Sequence, residues 1–154
     1  MNDEKIKEFD AKLANDIKNH GLQVLHVFGD YRGPAFSYSI GLFKSYGHPE
    51  IIIVGLSEQL AHILINNMAF DIKGGKVYTP LKYEAGVLDN FDCYFIEVEK
   101  INYDEYVGSA QGYYGNDDFP LLQCIYPTTK GIYPWQPEWP DSKDLQPILG
   151  SING

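Results

Sequence analysis

SYGHPEIIIVGLS, residues 45–57, joins two kinds of signal in thirteen residues. The run Ile51–Val54 is apolar on every position, so as a strand it is covered on both faces, and EIIIVGL reads as a central strand. Pro49 drives the residue before it toward extended geometry and marks where the strand starts. Ser57 follows as a helix N-cap, with Glu58 in the first turn, where the helix dipole favours a negative charge. One strand, a tight exit and a helix are therefore set here, and the rest of the chain is organised around them.

After this strand, a helix runs from Ser57 to about Lys73 and stops at Gly74-Gly75. Leu60, Leu64 and Met68, flanked by Ala61, Ile65 and Ile72, make its apolar stripe. Before the strand, AFSYSIGL alternates, with Phe36, Tyr38, Ile40 and Leu42 on one face and Ser37, Ser39 and Gly41 on the other. LQVLHVFGD, starting at Leu22, reads as its hairpin partner, with Leu22, Val24, His26 and Phe28 sharing a face. The turn GDYRGP joins the two through five or six residues. Residues 3–19 form a helix on the spacing of Ile6, Phe9, Leu13 and Ile17, capped by Asp3 and ended by Gly21. Further strands are expected near 76–83 and 91–99, a short helical segment over 103–114, and a last strand in PLLQCIYP. The order predicts an α+β fold, with a mostly antiparallel sheet or open barrel flanked by two helices.

The chain has 154 residues, enough for one domain with a real core, and residues 1–154 read as a single domain. Residues 127–154 hold five of the nine prolines, so this tail is expected to wrap the surface and to be pinned by Trp135 and Trp139. Twelve tyrosines raise the aromatic share to 14 %, a composition suited to half-buried strands and pocket walls. The net charge is -9 and Arg32 is the only arginine, which argues against a nucleic-acid partner. The charged N-terminus is no export signal and no run is long enough to span a membrane, so a cytoplasmic, non-membrane protein is expected. Cys93 and Cys124 are then expected as reduced core thiols, and no metal site is expected from them.

His48 and Glu50 are the first candidates for chemistry. Two apart on a strand, they point to one side. A histidine and a carboxylate so placed could form a general-base pair or two ligands of a metal that takes its third elsewhere. The alternative is structural: both groups hydrogen-bond loop amides at the strand start. His26 lies among apolar neighbours, as a core histidine or as a partner for His48 across strands. His62 belongs to the polar face of its helix and is expected in solvent, and His20 sits at a helix C-terminus. Gln123, on the last strand, needs partners for a buried amide, from backbone or from a polar ligand. No GxSxG, P-loop, GxGxxG or HExxH is present, and GNDDF at 115–119 lacks the alternating ligands of a calcium loop. His48, Glu50, His26, Tyr38 and Gln123 are therefore the candidate ligand-binding set, with His48, Glu50 and at least one of the others expected to share a cleft. The catalytic residues and the cofactor stay unassigned.

AFSYSIGL, GHPEIIIVGL and LLQCIYPTTKGIYPW, in that order, resemble the bacterial family catalogued as domain of unknown function 4262, over about residues 20–137. The resemblance marks Tyr38, His48, Pro49, Glu50, Gln123 and Trp135 as motif positions and gives none of them a role. Ser39 stands where threonine is usual, and Ile125-Tyr126 where Val-Trp is usual. A weaker likeness of rhythm, in DYRGPAFSYSIGL followed by HPEIIIVGL, is to FMN-binding split barrels. These readings imply a ligand-binding or protein-interaction module with a small-molecule or protein partner. The alternatives are a split-barrel-like oxidoreductase or cofactor carrier, and an immunity or defence component that docks its acidic surface on a basic partner. The oligomeric state stays open, with a homodimer among the options.

Overall fold

The computed structural model describes residues 2–140 and 145–154. Six strands form one open sheet in the order β1-β2-β3-β6-β5-β4. They are β1 (Gln23–Val27), β2 (Phe36–Ile40), β3 (Glu50–Val54), β4 (Lys82–Glu84), β5 (Cys93–Glu97) and β6 (Leu121–Ile125). Only β3–β6 is parallel; the other pairings are antiparallel. The fold is α+β, and the sheet stays open instead of curling into a barrel.

Helix α1 (Asp3–His20) and the short helices α4 (Tyr103–Tyr106) and α5 (Gly108–Tyr114) cover one face. Leu13, Ile17, Tyr103 and Ala110 of these helices, with Val107 between α4 and α5, pack on Tyr38, Ile40, Ile52, Val54 and Leu121. Helix α3 (Glu58–Lys73) covers the other face, packing Leu64, Ile65 and Met68 on Ile51, Ile53, Phe95 and Leu122. All five residues of β3 are buried, as the apolar run requires, and the same is true of its parallel neighbour β6.

Several local expectations are corrected. Asn2 caps α1, its side chain accepting from Lys5 N–H, where Asp3 was expected; an Asx oxygen one residue earlier reaches the same orphan donor. Leu60 lies outside the buried stripe of α3, which uses Ala61, Leu64, Ile65, Met68, Ala69 and Ile72. The first hairpin is joined by residues 28–35, longer than expected. The strand expected near 76–83 shrinks to Lys82–Glu84, because Pro80 cannot donate and Leu81 takes a left-handed φ of 62°. The strand AFSYSIGL ends at Ile40, and a short helix α2 (Leu42–Tyr46) follows at once. Gly41 makes that turn with φ of 118°, and a Cβ there would lie 2.6 Å from the carbonyl oxygen of Gly21, so only glycine fits.

Ser57 caps α3 and Gly21 closes α1 in the left-handed conformation, both as the sequence implies. Cys93 and Cys124 are buried free thiols. Trp135 stacks on Tyr133 and meets Tyr94 of β5 edge-on. Part of the tail, residues 141–144, lies outside the described residues; beyond it Leu149 N–H donates to Gln123 Oε1 and Tyr94 donates to the carbonyl of Ile152. No helix among the described residues is long and apolar enough to cross a membrane.

Candidate functional site

Glu50 opens β3 and is wholly buried, 0 % exposed. Its Oε1 accepts from the Ser39 hydroxyl at 2.7 Å and Leu42 N–H at 3.1 Å. Its Oε2 accepts from Gly41 N–H at 3.0 Å, Phe43 N–H at 3.2 Å and the Tyr114 hydroxyl. Three of these donors are backbone N–H groups; Ser39 Oγ already accepts from Ile51 N–H, and Tyr114 already accepts from Lys44 N–H. Five donors around an acceptor-only group suit the ionised carboxylate. Burial pushes the Glu50 carboxyl above its ordinary range, and the bonds from Tyr114, Ser39 and the α2 backbone hold it down. The Tyr114 hydroxyl is raised in turn, by burial and by the charge it faces. Glu50 thus supplies the N-terminal cap that α2 lacks in its own sequence, joining β2, α2, β3 and α5 at one point.

His48 is 4 % exposed. Its Nε2 accepts from Tyr78 N–H at 2.9 Å, and its Nδ1 lies 2.8 Å from the Pro49 carbonyl. An N–H can only donate and a carbonyl only accept, so the proton belongs on Nδ1 and the ring is neutral. Burial lowers its pKa. The ring forms part of a small recess of about 190 Å³ beside Tyr46, Pro49, Ile72 and Lys76, with both nitrogens already engaged. Pro49 starts the strand; His48 ties the segment before β4 to it.

Tyr38, 2 % exposed, lies in the core under α5, where Ser109 hydrogen-bonds its hydroxyl. Gln123, 0 % exposed, donates to the Pro147 carbonyl and accepts from Leu149 N–H, each at 2.8 Å. Its amide partners are therefore backbone groups. The expected shared cleft does not form. The polar atoms of His48, Glu50, Tyr38 and Gln123 point to separate internal partners, because each strand end and helix end supplies orphan backbone groups closer than any opening.

His26 is placed differently. It stands on β1 opposite Ser37 of β2, and its Nδ1 lies 2.7 Å from the Ser37 hydroxyl. Its Nε2 turns outward and meets His62 Nδ1 of α3 at 3.2 Å, so His26 pairs with His62 and not with His48. Burial lowers the His26 pKa, Glu58 opposes that, and His62 adds to it. The two rings stand in an open groove between β1 and α3, about 490 Å³ in volume, lined also by Glu58, Gln59 and Ile63. His62 is exposed, as its place on the polar helix face implies, yet it has a partner 36 residues away. Glu58 and His62 lie outside the candidate set that the sequence offers. Their spacing of one helical turn was readable; the strand that brings His26 to them was not.

No curated protein and no solved structure matches the chain. Among protein families, residues 16–140 match the one described as a domain of unknown function, DUF4262, and that stretch holds β1 to β6, the Glu50 knot and the His26–His62 groove. The chain belongs to the DUF4262 family.

Proposed function

We propose that the chain is a binding module whose ligand-contacting surface is the groove between β1 and α3. The observation that carries this reading is a contrast in where the polar atoms point. His48, Glu50, Tyr38 and Gln123 are buried with their polar atoms engaged inside the protein. On this reading they build the scaffold, and His26 is the member of the candidate set that serves ligand. It is the one whose ring nitrogen reaches an open groove.

The groove combines an apolar wall at Ile63, two imidazoles and a carboxylate, and its volume falls in the range of about 300–1,000 Å³ usual for small-molecule sites. Ser37 fixes the His26 ring from behind, so the outward nitrogen is held in place before any ligand arrives. Backbone amide spectra of the chain, recorded with a library of small aromatic and carboxylic fragments, test this. Shifts should concentrate on His26, Gln59, His62 and Ile63. Shifts confined to the tail or to the β4–β5 edge would move the binding surface elsewhere.

A further inference from the structure

The His26–His62 contact has an unusual form for a polar pair at a groove. Two imidazole nitrogens face each other at 3.2 Å, from different elements, with an acidic side chain on the same wall. A hydrogen bond between them needs one proton, carried by one of the two rings, and in an open groove it adds little to stability. A tetrahedral ion bound at about 2.0–2.1 Å by two imidazoles holds their nitrogens about 3.3–3.4 Å apart. The observed separation is already within a few tenths of an ångström of that figure.

We propose that His26 Nε2, His62 Nδ1 and the Glu58 carboxylate form a site for a divalent transition cation of the Zn²⁺ type, with water in the fourth position. This deepens the reading of the groove as the binding surface and rests on it. Imidazole and carboxylate together suit a borderline ion such as Zn²⁺. Glu58 and His62 lie one helical turn apart on α3, a spacing that puts both side chains on the same helix face. Among the described residues no three ligating groups already converge, and on this proposal Glu58, which lines the same groove, turns about its side-chain bonds to complete the set. Ser37 plays the supporting part: bonded to Nδ1, it leaves Nε2 to the ion and fixes the ring plane.

Calorimetric titration of the tag-free chain with ZnCl₂, together with imidazole ¹⁵N spectra, tests the site. One ion per chain should bind, with the His26 Nε2 and His62 Nδ1 resonances moving on its addition. His62→Ala, at an exposed position, should weaken binding by more than about tenfold. Glu58→Gln should weaken it less, and Ser37→Ala by about tenfold through the loss of ring orientation. Unmoved imidazole resonances, or equal affinity in His62→Ala, would overturn the cation site. If fragments still shift the groove amides in that case, the groove reading stands without the metal; if neither fragments nor Zn²⁺ touch the groove, both fall together.

Discussion

The chain holds two pairings of histidine with carboxylate, and they behave oppositely. At the start of β3, His48 and Glu50 are two residues apart, conspicuous in sequence, and sealed. Between β1 and α3, His26 and Glu58 are 32 positions apart, inconspicuous, and face a groove with His62. The residue types are the same; the supply of nearby orphan backbone groups differs. The β3 start adjoins the N-terminus of α2, the loop before β4 and the end of α5, each with N–H or hydroxyl groups to satisfy. β1 is the edge strand, and its backbone groups that do not pair with β2 point outward in the plane of the sheet, away from the His26 side chain, whose nitrogens meet Ser37 and His62 instead. An ionisable side chain among unsatisfied donors becomes a fastener, and one that no orphan donor faces stays available.

Breaking the sealed pair should cost most. Glu50→Ala removes the acceptor for three buried N–H groups and two hydroxyls, and should lower stability by about 3–5 kcal/mol, read from the urea midpoint at constant slope. A loss under about 1 kcal/mol would mean that water enters and replaces the carboxylate, and the knot would not differ from the groove.

His48→Ala leaves Tyr78 N–H without its buried acceptor and frees the segment before β4, for an expected loss of about 2 kcal/mol. Amide exchange at Tyr78 should speed up in the same variant. An unchanged Tyr78 amide would show that the segment is held by its aromatic contacts with Phe95 instead.

Acid should distinguish the same bonds more gently. Burial lowers the pKa of His48 and of His26 from an ordinary value near 6.5. Below pH 6.5 the unfolded chain then binds more protons than the folded one. The stability these rings contribute is complete above that pH and is lost as the pH falls toward their folded values. The slope is at most about 1.4 kcal/mol per pH unit for each ring. Glu50, raised by burial, runs the other way: its contribution falls as the pH rises from its ordinary value to its folded one. Urea titrations of the wild type from pH 7.5 to 5.5 should therefore show a decline that His48→Ala flattens. A decline of equal slope in the variant would assign the effect to other groups.

How far the sequence reached follows the same division. β3 was legible because four consecutive aliphatics admit few placements, and α3 because its cap and its stripe agree. Helix α2 was not, since its capping carboxylate comes from Glu50, which lies after the helix and not before it. The parallel β3–β6 pairing was equally hidden: nothing in Leu121–Ile125 says which of several buried strands it will join. The family resemblance picked out Tyr38, His48, Glu50 and Gln123, which prove to be the interior fasteners, while the groove residues Glu58 and His62 carry no local mark beyond their spacing.

The smallest effect is the one that separates the two regions most cleanly. His62→Ala removes a histidine just as His48→Ala does, and it removes a hydrogen-bonded ring in both cases. At His62 the ring is exposed, its backbone lies inside a completed helix, and the nitrogen it abandons on His26 faces the groove, where water can take its place. Stability should therefore change by no more than about 0.5 kcal/mol. The His26 ring should keep its bond to Ser37, and its Nδ1 resonance should stay where it is. A loss near that of His48→Ala would mean that the pair clamps α3 to β1, and the groove would then be a second fastener instead of a surface left free for ligand.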